Sequence, residues 1–443
     1  MLGCTYGRMF RVTVGGGSYE EGLSVNLQGV PPGLLIQEEE IYSDLLLRKP
    51  GQGELASPRR EMDIPLIYSG VNPADTMPGY ENKGYTNGTP FVILIPNVDR
   101  HFEHIEQYQQ TNRTPRPGHA SYASFQKYGE CDDAIGAGFF SGRYTATLVA
   151  AGAVAKRVLA EHGIHIAAYV KEAAGVRAPD VDLETAFEKN AAYKQMRKEY
   201  DPVHTMVYKE GRITPDMRFL EKTAVLAELE KQVPEVAEKE FSSEQARERF
   251  GVHPRMNCPD IEAADAMNER IIEIRDEGDS SGGVVEVVAT GVPPGMGEPV
   301  FEKLEGELGR MMSIGTIKAV ENGAGLAVKD MTGYECNDQM RVEDGKVKFL
   351  SNNAGGITGG MTNGQPIVAR LAVKPTPTIG KPQKTIDKVS LENETLNAIT
   401  RRDPTVVARV WPVAEAHMAI ILLNHYAMHL GYRALAGFDL EQD

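Results

Sequence analysis

Between Ser351 and Gly364 the chain reads SNNAGGITGGMTNG, five glycines and three asparagines in fourteen residues. A helix or strand interior does not tolerate that composition, whereas a loop uses glycine to reach positive φ and to bring backbone close to a flat ligand. Asn352, Asn353 and Asn363 add amide donors and acceptors. The stretch, with Ala354, Gly355 and Gly356 at its centre, predicts a loop built to hold a planar heteroaromatic ligand. A glycine-rich hairpin of structural value is the alternative. The alternation Ile367, Ala369, Leu371, Val373, with Arg370 between, predicts a half-buried strand. That strand hands Lys374, Thr376 and Thr378 to the next loop, a cation and hydroxyls that suit a phosphate.

A net charge of -15 disfavours nucleic acid or an anionic membrane surface as partner, so an anionic ligand requires a local basic pocket. The four cysteines, Cys4, Cys131, Cys258 and Cys336, are isolated, which argues against a disulfide framework or a zinc site and fits a reducing compartment. The amino terminus shows no charged-then-apolar signal pattern, and no apolar run approaches about 18 residues, so the expectation is a cytoplasmic protein. With 443 residues, 41% of them hydrophobic, the chain can bury a large core as one domain or two.

Along the chain, Phe10–Val14 and Gly22–Leu27 read as short strands, followed by the turn GVPPG at Gly29–Gly33. The same unit returns at Val284–Val288 and Gly291–Gly295, which predicts an internally duplicated architecture with two related sheets. Ser141 is placed to cap a helix running to about Glu161, with Leu148, Ala151, Ala155 and Leu159 on one face. A second helix is predicted from Pro412 to just before Gly431, and others from Pro259 and Pro299. Both long helices are apolar enough to lie between sheets. Residues 180–250 are rich in charge and predict a helical insertion, exposed or forming an arm.

Seven further segments, in order, together with the asparagine–glycine loop, resemble the chorismate synthase family. They are GVPPG, RPGHASY at Arg116–Tyr122, QKYG at Gln126–Gly129, SGRYTATLVAAGAVAK at Ser141–Lys156, DSSGGVVEV at Asp279–Val287, PPGMGEPVFEKLE at Pro293–Glu305 and RRDPTVVARVWPVAEA at Arg401–Ala416. The resemblance implies an α+β fold, a β-α-β sandwich with helices between two antiparallel sheets, spanning residues 1–443 as one domain. It also implies a homotetramer that uses reduced flavin mononucleotide (FMN) to eliminate phosphate and a ring proton from 5-enolpyruvylshikimate 3-phosphate. On that basis Asn352, Asn353, Ala354, Gly355, Gly356, Lys374, Thr376 and Thr378 are the cofactor-binding candidates. His119 matches the family histidine thought to protonate reduced flavin, and an imidazole with a pKa of about 6.5 suits that exchange. Asp403, in RRDP, matches the carboxylate thought to work at the flavin N5.

The family's GESHG corresponds to Gly16, Gly17, Ser18, Tyr19 and Glu20, so a phenol with a pKa of about 10 stands where a histidine is thought to protonate the leaving phosphate. RRRPG becomes Leu47, Arg48, Lys49, Pro50 and Gly51, and in GGGRSSARET an arginine and a serine become Phe139 and Phe140. Ile135 and Cys131 also fall at arginine positions. Each lost guanidinium removes a bidentate anion partner that phenylalanine cannot replace. Arg48, Lys49, Arg59, Arg60, Arg143, Phe139 and Arg401 remain as substrate-binding candidates. The reading that follows is a reduced-FMN lyase acting on a cyclohexene acid less anionic than the family substrate, with a flavin reductase as a further candidate partner. The alternatives are an authentic chorismate synthase with a diverged pocket and a non-catalytic flavin-binding paralogue.

Overall fold

The computed structural model describes residues 2–50, 55, 61–97, 112–133, 135–230, 243–397 and 403–438. Two five-stranded antiparallel sheets form its outer layers. The first contains β1 (Thr5–Tyr6), β2 (Arg11–Gly16), β3 (Gly22–Gln28), β4 (Leu66–Ser69) and β5 (Phe91–Pro96), in the order β1-β2-β3-β5-β4. The second contains β6 (His165–Ala173), β7 (Val176–Arg177), β8 (Gly283–Thr290), β9 (Ile317–Asn322) and β10 (Ile367–Val373), in the order β7-β6-β8-β10-β9. In each sheet the middle strand, β3 or β8, is the one that runs into GVPPG. The first glycine of each copy has positive φ, and a Cβ there would lie 1.8 Å from the Met9 carbonyl oxygen at Gly29 or 2.0 Å from that of Gly163 at Gly291. The repeat therefore reflects the same backbone crossing made twice, as duplication requires.

Between the sheets lie α1 (Glu38–Arg48), α2 (Thr145–Glu161) and α4 (Val407–Ala436), of which α2 and α4 form the central pair, whereas α3 (Leu183–Tyr200) packs on α1 and β6, with Ala186 and Phe187 in a separate cluster with Tyr169 and Val288. Their axes approach closely because Gly152 faces Ala416: a Cβ on Gly152 would sit 2.3 Å from that of Ala416. The α2 helix packs on β3 and β5, and α4 on β6 and β8. The alternation read in β10 holds, with Ile367, Ala369, Leu371 and Val373 buried.

Several helix boundaries differ from expectation. Ser141 caps a short 3-10 turn, Gly142–Tyr144, by accepting the Arg143 amide, and the α-helix starts after it. The α4 helix begins five residues before Pro412 and continues through Gly431. Proline inside a helix deletes one amide donor and costs roughly 3 kcal/mol. Trp411, Ile420, Ile421 and Leu422 are nearly fully buried between the sheets, and that burial outweighs the penalty. The helix expected from Pro299 forms only at Leu304–Leu308, while that near Pro259 starts at Ile261, capped by Asp260 accepting from Ala263 N at 2.7 Å.

Residues 180–250 are helical over α3, Phe219–Glu230 and Ser243–Phe250, with 231–242 outside the described residues. The described part is not the exposed arm that its charge suggested. Tyr193 meets Trp411 edge-on at 5.9 Å, and Met196, Asp201, His204 and Val207 are buried. Its charges face inward partners as well as solvent: Lys222 bonds Glu38 at 2.5 Å, and Lys194 bonds the buried Glu415 at 2.7 Å.

Candidate active site

A cleft of about 230 Å³ opens where the carboxyl end of α1, the turn before α2, the start of β9 and the amino end of α4 converge. The starts of α2 and α4 both border it, and helix amino ends carry partial positive charge. Its arginines are already paired. Arg48 meets Asp63 at 3.1 Å, and Arg143 meets Glu61 at 3.1 Å and also Asp63. The Arg143 Nε donates to Asn97 Oδ1 at 3.0 Å, and Arg409 pairs with Asp403 at 2.9 Å. Lys49 is buried in another direction, bonded to Asp201 and to the Tyr42 hydroxyl at 3.2 Å.

The loop carrying Tyr19 faces this corner. Asn97 Nδ2 donates to the carbonyls of Gly17 at 2.8 Å and Glu20 at 2.9 Å, and the Ser18 and Ser141 hydroxyls lie 3.2 Å apart. The Tyr144 hydroxyl donates to the Gly16 carbonyl, and its ring packs on Phe139 at 4.7 Å. Burial first, then the nearby Glu20 and Asp133, push the Tyr144 phenol up to about 12.

The asparagine–glycine loop is organised by Asp338, whose carboxylate accepts from Ser351 Oγ at 2.6 Å, Asn353 N at 2.7 Å and Ala354 N at 2.8 Å. Burial works against ionisation of Asp338, but these donors outweigh it and hold the carboxyl below its usual range. Asn352 Nδ2 donates to Pro366 O at 2.9 Å while its Oδ1 accepts Gly356 N at 2.8 Å, and Asn353 Nδ2 donates to Glu335 O at 3.0 Å. Both side-chain amides therefore shape the loop from within. Gly355 has φ +60, and a Cβ there would lie 2.3 Å from Gly323 N, so the loop closes against the end of β9 only with glycine.

His119 lies against the segment that follows β10. Arg116 Nη2 is 3.4 Å from His119 Nε2, and Arg116 Nη1 is 3.5 Å from Thr378 Oγ1. A guanidinium only donates, so Nε2 accepts and the neutral ring carries its proton on Nδ1. That Nδ1 is buried without a partner among the described residues. Burial, then the charges of Arg116 and Lys374, push the His119 imidazole down to about 4, away from the neutral range expected for it. Lys374 is itself lowered, by burial and then by Lys318, and neither lysine has a carboxylate partner among the described residues. Thr376 Oγ1 donates to the Asp403 carbonyl at 2.7 Å, and Lys374 N donates to the Thr316 carbonyl at 2.9 Å. These two bonds join the His119 cluster to the cleft.

The structure thus brings Asp403, Arg48 and Arg143 into one cleft, with the Tyr19 loop and Phe139 at its Ser141 corner and His119, Lys374, Thr376 and Thr378 alongside. Lys49 is directed elsewhere, and Arg59, Arg60 and Arg401 lie outside the described residues. Sequence reasoning missed Glu61, Asp63, Asn97, Asp338 and Arg409. Only Asp338 carried a signal, as a carboxylate within reach of a loop full of unpaired amides.

The chorismate synthase family model matches residues 10–427. The chain belongs to the chorismate synthase family. It is 38% identical to a chorismate synthase of Acetivibrio thermocellus over 98% of each chain, and 38% identical to one of Methanococcoides burtonii over 96% of each. A crystal structure of chorismate synthase aligns with a TM-score of 0.62 at 25% identity, covering 96% of this chain and 94% of that one. The family makes the chain an enzyme of the carbon–oxygen lyase class and confirms the α+β sandwich. Of the positions where this chorismate synthase homologue departs from the family wording, Leu47 is 2% exposed in the core rather than in the cleft. An arginine stem there would have to displace packed side chains.

Proposed function

We propose that the protein is a reduced-FMN-dependent lyase of chorismate-synthase type whose substrate, a cyclohexene acid or enolpyruvyl ether, carries less negative charge than 5-enolpyruvylshikimate 3-phosphate. The observation that carries this reading is the pairing of the cleft arginines: Arg48 and Arg143 already face Asp63 and Glu61, and Arg409 faces Asp403. The helix starts still favour one anionic group, such as a carboxylate. Tyr19, at the leaving-group histidine position, is a weak acid near neutrality and suits a leaving group that needs less proton help.

The residues present fit FMN. Lys374, Lys318, Arg116 and Thr378 form a cationic spot in a protein of net charge -15, and two of those cations lack carboxylates among the described residues. The phosphate would lie there, and the loop Asn352–Gly356 would present its backbone to the ring system. When bound, reduced FMN supplies an electron transiently and takes it back, leaving no net redox change. The orphan Nδ1–H of His119 is the group able to exchange a proton with the cofactor, and an anion beside Arg116 and Lys374 would lift its pKa towards neutrality. Asp403, held by Arg409 and by Thr376 through its carbonyl, is the candidate base facing the cleft.

The same reading takes the chain as one domain with 180–250 as a helical insertion, in the cytoplasm, supported by the buried contacts of α3 and by four cysteines without a disulfide. It also takes the protein as a homotetramer, supplied with reduced flavin by a separate reductase. The hairpin Met340–Glu343 and Lys346–Phe349 stands beside the flavin loop with Met340, Val342, Val347 and Leu350 exposed. A two-stranded hairpin so exposed is marginal alone, and a second copy would cover it.

Authentic chorismate synthase is the second reading, favoured by the 38% identity to the Acetivibrio thermocellus enzyme across nearly the whole chain. Anaerobic turnover with chemically reduced FMN, using enolpyruvylshikimate compounds with and without the 3-phosphate, separates the two. Normal turnover of the phosphorylated compound would overturn the lower-charge reading.

A further inference from the structure

Arg48 and Lys49 are neighbours at the carboxyl end of α1, and their side chains go to opposite destinations. Arg48 lines the cleft, where it donates to the Arg143 carbonyl at 3.2 Å and pairs with Asp63. Lys49, equally buried, turns away to pair with Asp201, the residue that follows α3. Asp201 is 3% exposed and also accepts the Tyr42 hydroxyl at 2.6 Å and His204 N at 2.9 Å. Burial opposes its charge, but Lys49 and these donors outweigh burial and hold the carboxyl below its usual range. The amino end of α1 is gripped by the same stretch of chain: Glu38 takes Lys222 at 2.5 Å, and Glu39 takes Lys198 and His204, both at 2.9 Å. Between the two ends the Tyr42 ring stacks on that of His204, with centroids 6.4 Å apart. A buried ion pair adds little net stability over an apolar pair of similar volume, but it is strict about register. Sliding α1 by one residue, about 1.5 Å, would leave both charges buried and apart. The Lys49–Asp201 contact is therefore better suited to fixing the position of α1 than to stabilising the fold.

We propose that Asp201 is a positioning residue: through its ion pair with Lys49, the segment that follows α3 fixes α1 along its axis and so sets Arg48 for the ligand in the cleft. This rests on the reading of the cleft as the substrate site. The test is calorimetric binding of 5-enolpyruvylshikimate and its 3-phosphate to the full chain, to Asp201→Asn, and to Lys49→Met combined with Asp201→Leu. The double variant replaces the ion pair by apolar side chains, so its Tm should stay at or above that of the wild type while the register is released. Misalignment of one charge-assisted contact from Arg48 predicts roughly tenfold weaker binding in both variants. FMN affinity should stay within about twofold of wild type, and a crystal structure of the double variant should show Arg48 displaced from Asp63. If Asp201→Asn does not fold, the double variant decides. Wild-type affinity in a folded variant overturns the proposal, as does weaker binding with Arg48 still in place or with an equal loss of FMN affinity, which would mean a general loosening. A wild-type protein that binds neither probe overturns the reading of the cleft itself and this assignment with it.

Discussion

Glu61→Gln removes one negative charge from the cleft while keeping the side chain's shape and hydrogen-bonding capacity. Glu61 is 5% exposed, and its Oε2 lies 3.1 Å from Arg143 Nε, so it offsets the cation best placed to greet an anion. Arg143 keeps Asp63 and Asn97 in the variant, and the site should hold together. For a ligand anion about 7 Å from the deleted charge, at an effective dielectric of about 20, the relief of repulsion is about 2.4 kcal/mol, or roughly 50-fold in affinity. Binding of 5-enolpyruvylshikimate 3-phosphate, followed anaerobically by calorimetry at two ionic strengths, reads it directly. The gain should be larger for the 3-phosphate than for the dephosphorylated compound and should shrink in higher salt. An unchanged affinity for both compounds, in a variant whose Tm shows an intact fold, refutes the argument that paired carboxylates set the charge preference of this cleft.

His119→Ala and Asp403→Ala should each lower turnover about 10²-fold or more with far-ultraviolet dichroism unchanged, as expected for proton-handling groups, and full activity in either removes that residue from the mechanism. Asp338→Ala strips three donors of their acceptor and should weaken FMN binding at least tenfold in a fluorescence titration while leaving cleft ligands unaffected. His417 is 5% exposed and pushed down to about 4, by burial first and then by Arg310, so it is neutral in the fold and protonated in the unfolded chain below pH 6.5. Its contribution is present above pH 6.5 and is lost as pH falls towards 4, by up to roughly 3 kcal/mol, so His417→Gln should flatten urea-measured stability across that window. Gly152→Ala should destabilise by about 1–3 kcal/mol in the same assay, since its Cβ would lie 2.4 Å from the Ala416 Cα, and a neutral result would mean the α2–α4 pair can slide.

What was legible in the sequence was whatever a short segment decides by itself. The GVPPG turns, the alternation of β10 and the long apolar helices each depend on neighbours a few residues away, so the duplicated sandwich followed from local pattern. The grouping of His119 with the segment after β10 also came through, because motif wording carried it. Charge balance did not, because it depends on which side chains meet across long chain separations. Arg143 looked like an anion ligand until Glu61 and Asp63 arrived beside it, and Lys49 looked like another until Asp201, from the charged insertion, drew it away. Leu47 read as a lost cleft arginine, yet α1 turns that position into the core. Nor could local preference foresee α4 running through Pro412, where burial between two sheets exceeds the loss of one hydrogen bond. Periodicity and turn chemistry act over a few residues and survive in one dimension, whereas desolvation and ion pairing are decided only when the layers close.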